Sequence, residues 1–600
     1  MAPLKLTSGL PWRWLLAGVL GGILAAACAC NKSPPSSPEE TQPAEVAPKA
    51  LFLFQDVTVD SGVKAEYRNG EEAGHFAILE TLGGGIALID YDGDGLLDIF
   101  VTGGGYFEGE EIRGHPCKLF KNLGGFKFRD VTHDVGLDTL CDGEPWFFTH
   151  GAAVADYDRD GWPDLLVTGY GRVALFHNEP DGNGGRRFVE VTKQAGLIDD
   201  LWSTSAAWAD LDGDGYPDLY ICHYVDWSFA ANNPRCVGFD GKRRDICPPG
   251  HFAAQPHRLY RNNGDGTFRD VSKEAGLRVD NPKKDYGKGL GVIAVDVNLD
   301  GKPDLYVAND TTDKFLYVNR SRPGTILLEE VGLRTGVARD QMGRANGSMG
   351  LAAADYDDCG RPSLWVTNYE RELHALYHND SRDGEAFFHF SSPPTGVADI
   401  GQMFVGWGTG FLDLDHDGRE HLFITNGHPN FFPRVDAARP QRPLLLRNLG
   451  QGRFRNIAAE GGSYFQEDHN GRGVAFGDLD NSGRTDVVVS HLNGPVVLLR
   501  NVAQTTNHWL GIALVGRDNR DVVGAKLTLE VGDRRLTRFA QGGGSYLSSS
   551  DRRHIFGLAN ADRVGRLTVL WPGGQEEHWD GLAVDRYWKL PEGQGNKKNE

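Results

Sequence analysis

The stretch Asp90-Tyr91-Asp92-Gly93-Asp94-Gly95-Leu96-Leu97-Asp98, DYDGDGLLD, puts four carboxylates into nine residues between the apolar runs GGGIAL and LLDIFV. Like charges at this density repel, so either water bathes them or a cation neutralises them. Side-chain oxygens at positions 1, 3, 5 and 9 (Asp90, Asp92, Asp94, Asp98), with the carbonyl of Leu96 at position 7, can wrap one hard cation. Calcium, with about 6–8 oxygen ligands, fits that spacing. Gly95 at position 6 permits the sharp turn. The opening D-x-D-x-D-G is that of an EF-hand loop, yet an EF-hand closes with Glu at position 12 between helices, and here β-type runs flank the loop. The bland reading is a solvated acidic turn, since Asp and Gly are common turn residues.

Repetition decides between the two. The pattern returns as DYDRDGWPD (156–164), DLDGDGYPD (210–218), DVNLDGKPD (296–304), DYDDCGRPS (355–363), DLDHDGREH (413–421) and DLDNSGRTD (478–486). Loops 2 and 3 keep every ligand position: Asp156, Asp158, Asp160, Trp162 (carbonyl) and Asp164, then Asp210, Asp212, Asp214, Tyr216 (carbonyl) and Asp218. Loop 4 offers Asp296, Asn298, Asp300, Lys302 (carbonyl) and Asp304, with the Asn oxygen a neutral but serviceable donor. Loop 6 keeps Asp413, Asp415 and Asp417 but ends in His421, whose nitrogen suits calcium poorly. Loop 7 has Asp478, Asp480, the weaker Ser482 and Asp486. Loop 5 has Cys359 at position 5 and Ser363 at position 9 and should bind barely, if at all. The expectation is calcium in about four to six of these loops, tightest in loops 1 to 4.

Around each loop lie further repeats. A strand of small residues precedes it (GAAVAD, SAAWAD, GLAAAD) and an apolar strand follows (DLLVTG, DLYICH, SLWVTN). Third runs such as KLFKN, ALFHN and RLYRN, and fourth runs such as FKFRDVT and FRDVS, complete a four-strand module. Such modules are β-propeller blades, and seven loops mean seven blades. FQDVT (54–58) is a fourth strand without a module, while VVLLRN (496–501) is a third strand without a fourth, so the N-terminal strand is expected to close the ring. Closure removes sheet edges that would otherwise invite aggregation.

The modules resemble the FG-GAP (VCBS-type) repeats of integrin α-chain propellers. NGSMGLAAADYDD, LYRNNGDGTFRDVSKEAGL and FITNGH are closer still to bacterial relatives of cartilage acidic protein. The tail, DNRDVVGAKLTLEVGDRRLTRFAQGGGSYLSSSDRRHIFGL followed by DRVGRLTVLWPGGQ, resembles the ASPIC/UnbV domain that follows the propeller in that family. The resemblance implies an all-β, calcium-binding, extracytoplasmic propeller over 51–503 and a small β-sandwich-like domain over 507–590, with 591–600 a tail. It brings no known reaction.

The N-terminus bears on the compartment. Lys5 and Arg13 precede the apolar run WLLAGVLGGILAAA (14–27), which is too short to span a bilayer and suits a signal peptide. It ends in LAAAC, resembling a lipobox with Cys28 lipidated; Cys30 is the runner-up and an ordinary secretory signal the alternative. Residues 28–50 are Pro-, Ser- and Glu-rich, as expected of an extended tether. An outer-membrane or cell-surface lipoprotein is the expected location. Cys236 and Cys247 fall in the longest interval between loops, where a disulfide would offset the ordering entropy of an insertion. That pair, and Cys117 with Cys141, are the expected disulfides; zinc is the alternative for these thiols, weakened by the lack of any CxxC. The formal charge of −20 is exceeded by the Asp residues at ligand positions, so the remaining surface is near balance, against nucleic acid.

Two functions compete. The first is a binding protein that holds a glycan or an extracellular protein at the cell surface and reaches the membrane only through its lipid. The second is a calcium-dependent polysaccharide lyase, which needs a base and a cation to stabilise an enolate. If the Asp loops join first to second strands, the second-to-third connections share the opposite rim. There Tyr106, His150, Tyr170, Trp202, His223, Tyr224, Arg344, Tyr369, His428 and His491 are expected to ring one mouth suited to a sugar.

Overall fold

The computed structural model of the chain describes residues 52–278 and 286–597; the leader, Cys28 and the tether lie outside them. The first repeat folds into strands Ile86–Ile89, Asp98–Val101, Lys118–Asn122 and Phe128–Asp130, each antiparallel to the next. Its innermost strand, IALI, is buried throughout, as its apolar side chains require. Gly93 and Gly95 turn the Asp loop at φ +72 and +85, a region open to glycine and costly for most other residues. Five more sheets repeat the same order, one of them extended by a fifth strand. In the last sheet, Phe54–Asp56 supplies the outer strand, with Phe54 opposite Asn501. The innermost strands pack on one another in a closed circuit, the last repeat against the first. The protein is a β-propeller shut by its own N-terminal strand, and its described residues contain no helix long and apolar enough to cross a membrane.

Seven buried asparagines stitch the ring. Each lies at or near the end of a third strand, and each sends its side-chain amide to the carbonyl at position 2 of the preceding repeat's Asp loop. The bonds run from Asn178 to Tyr91 (2.8 Å), Asn262 to Tyr157 (2.8 Å), Asn319 to Leu211 (2.9 Å) and Asn379 to Val297 (2.9 Å). Asn448 to Tyr356 (2.7 Å) and Asn501 to Leu414 (3.0 Å) continue the series, and Asn122 to Leu479 (2.8 Å) joins first to last. Each bond contributes about 1 kcal/mol net, and losing one strands a buried carbonyl at greater cost.

The C-terminal domain packs a three-stranded sheet (His508–Val515, His554–Ala559, Tyr587–Pro591) and a five-stranded one over a common apolar core that includes Leu527, Phe556 and Trp571. Its segment QGGGSYLSSS (541–550) enters the propeller axis. Gly542 and Gly543 pair with Ala294 and Ile293 on the inner strand of blade 4. Ser545 exchanges backbone bonds with Leu351, Leu547 accepts from Ala152, and Ser549 exchanges bonds with Ile86 and Leu88. A Cβ on Gly542 would meet the Trp208 carbonyl at 2.0 Å, so only glycine admits this approach. Tyr546 is fully buried at the tip against Trp407, with ring centroids 4.9 Å apart.

Of the two disulfides expected, Cys236–Cys247 is present. Cys117–Cys141 is not, because the two side chains belong to different environments. Cys117 is buried in the core shared by the first two blades, its Sγ 3.8 Å from Thr149 Oγ1, and burial pushes the thiol up to about 12. Cys141 sits at the surface in a short turn over Cys141–Gly143.

Candidate metal loops and the two rims

The Asp loops share one local design. The carboxylate at position 1 accepts the N–H of the glycine at position 6 in all seven: Asp90 from Gly95 at 3.0 Å, Asp156 from Gly161 at 2.9 Å, Asp210 from Gly215 and Asp296 from Gly301 at 2.8 Å. Asp355, Asp413 and Asp478 do the same at 2.9, 2.9 and 2.6 Å. The aspartate at position 9 is buried and braces the loop with both oxygens: Asp98 accepts Tyr91 N–H at 3.2 Å and Asn122 N–H at 2.7 Å. Asp164, Asp218, Asp304 and Asp486 repeat this bracing. In loop 6, His421 Nδ1 takes over the second bond, accepting Asn448 N–H at 3.1 Å.

Burial and mutual repulsion leave these carboxylates strained electrostatically. Asp98 is pushed up to about 8, and Asp156, Asp210 and Asp296 to about 7, mainly by burial and then by neighbouring aspartates. Buried oxygens of Asp90, Asp92, Asp156 and Asp415 have no hydrogen-bond partner. Such bare, inward oxygens, set among others at calcium-ligand spacing, are what a hard cation requires.

A third-strand residue outside the Asp-loop pattern answers part of the charge. The position before each stitching asparagine holds Lys121, His177, Arg261, Val318, His378, Arg447 or Arg500. Lys121 bridges Asp92 and Asp94; Arg261 bonds Asp212 and Asp214, each at 2.6 Å. His177 lies 3.5 Å from Asp158 and 3.2 Å from Asp164. Arg447 reaches Asp415 at 2.9 Å and Arg500 reaches Asp480 at 3.0 Å. Val318 in blade 4 carries no charge, so Asp296, Asn298 and Asp300 face none from that position. The signal was present in the runs KLFKN to LLLRN, one residue before the asparagine.

The C-terminal domain covers the rim that carries these loops. Asp521 N–H bonds the Gly215 carbonyl at 3.1 Å and Gly573 N–H the Gly301 carbonyl at 2.9 Å. Lys526 Nζ donates to Gly360 at 2.7 Å, Arg534 to Asp417 at 3.0 Å, and Tyr587 to the Asp478 carboxylate at 2.8 Å.

The opposite rim departs from expectation. His150, Trp202, His223, Tyr224 and His428 are buried, so they form packing under the mouth and not its lining. The Tyr67 hydroxyl holds His150 Nδ1 at 3.1 Å, and burial pushes that imidazole down to about 3. His223 Nε2 lies 2.9 Å from the buried Asp199, and Tyr224 donates to Asp310 at 2.6 Å. Tyr369 meets His428 at 3.1 Å, Tyr170 donates to the Trp227 carbonyl at 2.8 Å, and His491, also buried, lies between the Tyr464 hydroxyl at 3.0 Å and the Pro495 carbonyl at 2.7 Å. Tyr106 rests on His115 with ring centroids 4.8 Å apart. Only Arg344 of the buried-versus-exposed set stands well out, 73% exposed beside Asp340. The cause is a cap. The blade-3 insertion carrying the disulfide crosses to blade 6, where Asp245 accepts the Phe431 and Phe432 N–H groups at 3.0 Å. Arg244 also reaches the His75 carbonyl at 2.5 Å. His150, His223 and His428 therefore lie beneath the surface and do not line an open mouth.

Comparison with known proteins agrees with this architecture. The ASPIC and UnbV family model matches residues 516–597, and the FG-GAP-like repeat matches 90–167, 156–221 and 252–307. Cartilage acidic protein 1 of Mus musculus is 24% identical, over 75% of this chain and 74% of its own. Integrin alpha-7 of Rattus norvegicus is 28% identical over 24% of this chain and 12% of its own. A solved Agrocybe aegerita lectin that recognises non-reducing terminal N-acetylglucosamine aligns at 16% identity, covering 69% of this chain and 87% of its own with a TM-score of 0.38. The chain carries FG-GAP-like repeats followed by an ASPIC and UnbV domain, and cartilage acidic protein 1 is among its homologues.

Proposed function

We propose that this protein is a calcium-rigidified, extracytoplasmic binding propeller, tethered by lipid at Cys28, that holds a glycan or protein partner on the outside of its disulfide-stapled cap. The observation that carries the metal reading is the repeated loop in which position 1 spends one oxygen on the glycine N–H and, in loops 1 and 2, keeps the other bare and buried. Calcium there holds hairpins in place and does no chemistry. The Cys236–Cys247 disulfide supports an oxidising compartment.

The partner surface is the cap, since the residues beneath it are buried. Val237 and Phe239 are 61% and 51% exposed, and Val435 is fully exposed. Arg434 stacks over Phe239 at 4.7 Å and Arg243 over Phe432 at 3.7 Å. Aromatic and arginine side chains presented together are the composition enriched at binding hot spots. Screening the purified chain on glycan and extracellular-protein arrays tests this reading. Binding that falls at least tenfold in Phe239→Ala/Val435→Asp, with melting unchanged within a few degrees, is the expected result. Binding indifferent to both changes would place the site elsewhere.

A further inference from the structure

Loop 5 lost its calcium ligands without losing its donors. Cys359 replaces the aspartate at position 5, and the third strand offers an imidazole, His378, where four of the other loops are met by lysine or arginine. The fold brings Asp357, Cys359 and His378 together so that one donor atom from each lies within 4.8 Å of the others. We propose that this loop is a site for a zinc-like divalent transition metal, held by Asp357, the Cys359 thiolate and His378 Nε2.

Three observations carry the assignment. The first is donor chemistry: thiolate, imidazole and carboxylate together are the ligand types of zinc and its neighbours, and sulfur is a poor ligand for calcium. The second is the support behind the histidine. His378 Nε2 lies 2.8 Å from Asp357 Oδ2, while its Nδ1 lies 3.2 Å from Asp380 Oδ1, and Asp380 in turn pairs with His389. The Nδ1 contact misses hydrogen-bond geometry, so Nδ1 is buried without a hydrogen bond in the metal-free loop, but a carboxylate this close is placed to accept the Nδ1–H once Nε2 binds a metal, as for metal-ligating histidines in general. The third is unmet bonding. Asp357 Oδ1 and Asp355 Oδ1 are buried without a hydrogen-bond partner, and Asp355 is only 5% exposed beside the Cys359 thiol.

Loop 6 shows why a histidine alone is insufficient. His421 Nδ1 accepts the Asn448 N–H at 3.1 Å, so the proton of the neutral ring sits on Nε2, the nitrogen nearer the loop carboxylates. In loop 5 Nε2–H donates to Asp357 in the metal-free loop, but no N–H claims Nδ1, so the ring proton can move to Nδ1, facing Asp380, when a metal takes the Nε2 lone pair. Binding releases the thiol proton to solvent, and the metal takes the sulfur lone pair in its place.

Cobalt(II) tests the site, because a thiolate ligand gives cobalt a charge-transfer band that oxygen and nitrogen donors do not. The whole chain, with its Cys236–Cys247 disulfide intact, stripped with EDTA and then held in excess calcium, is titrated with Co²⁺. The expected result is one equivalent bound with that band, lost on adding Zn²⁺ and absent in Cys359→Ser. His378→Gln should weaken cobalt at least tenfold, and Asp380→Asn should weaken it about 10–100-fold while keeping the band. Far-UV circular dichroism and melting confirm that each variant is folded. No band in the wild type, a band that persists in Cys359→Ser, or one that vanishes instead in Cys141→Ser would overturn the assignment.

Discussion

The two rims of this propeller were built by different rules. On the Asp-loop rim, seven copies of one nine-residue device repeat the same glycine turn, and every copy but the degenerate loops 5 and 6 braces position 9 with a carboxylate. On the opposite rim no two connections are alike, and two of them, the blade-3 insertion and the 428–440 segment, fold over the mouth. The repeated device is governed by bonds within the loop and from its own blade's third strand, plus one asparagine amide from the next blade. The variable rim is governed by packing between residues nearly two hundred apart, such as Asp245 with Phe431 and Phe432. Local rules survive transfer from sequence to structure; an inference from which rim a loop occupies to what it touches does not.

Three substitutions probe that contrast, in decreasing order of effect. Tyr546→Ala removes the fully buried tip of the segment that joins the Asp-loop rim to the axis. A loss of about 3–5 kcal/mol, typical of a large aromatic cut from a core, should appear as a strongly lowered denaturant midpoint. A change below about 1 kcal/mol would mean the segment is peripheral. Cys236→Ser/Cys247→Ser opens a loop of 11 residues' separation and should cost roughly 2–3 kcal/mol. Limited proteolysis should then cut within 225–256 while calcium-dependent melting persists; if the calcium response disappears as well, the rims are not independent. Arg344→Ala removes an exposed ion pair at 3.5 Å and should change stability by no more than about 0.5 kcal/mol. A larger loss would show that this corner of the rim is structural.

Much of this was legible in advance. The period of the Asp loops specified a propeller, the orphan strands at 54–58 and 496–501 specified its closure, and the length of one interval located the Cys236–Cys247 disulfide. Strand alternation and turn chemistry act over a few residues, so sequence carries them. The lysine, arginine or histidine before six of the seven asparagines is equally local, but it lies outside a pattern built on oxygen ligands alone. The burial of His150, His223 and His428 was not legible, since it depends on insertions from other blades. Nor was the docking of QGGGSYLSSS in the axis, although its three consecutive glycines are the mark of a backbone that something approaches closely. Cys117 and Cys141 are near neighbours in sequence, but a propeller blade separates such neighbours into core and surface.

The central claim is that the Asp loops hold calcium in the folded protein. Without metal, Asp98 at about 8 and Asp156, Asp210 and Asp296 at about 7 keep protons that the unfolded chain, with ordinary aspartates near 4, has already released. The native state then binds more protons over that interval, so metal-free stability must fall as pH rises from about 5 to about 8. Calcium takes the place of those protons, and at a hundred to a thousand times its dissociation constant each site adds about 3–4 kcal/mol. Melting the EDTA-treated chain across this pH range, with and without calcium, measures both effects at once. The account predicts a metal-free midpoint that drops with pH and a calcium-induced gain of many degrees that widens with pH. Superimposable curves at every pH, with metal removal verified by elemental analysis, would contradict it and reduce the seven loops to turns.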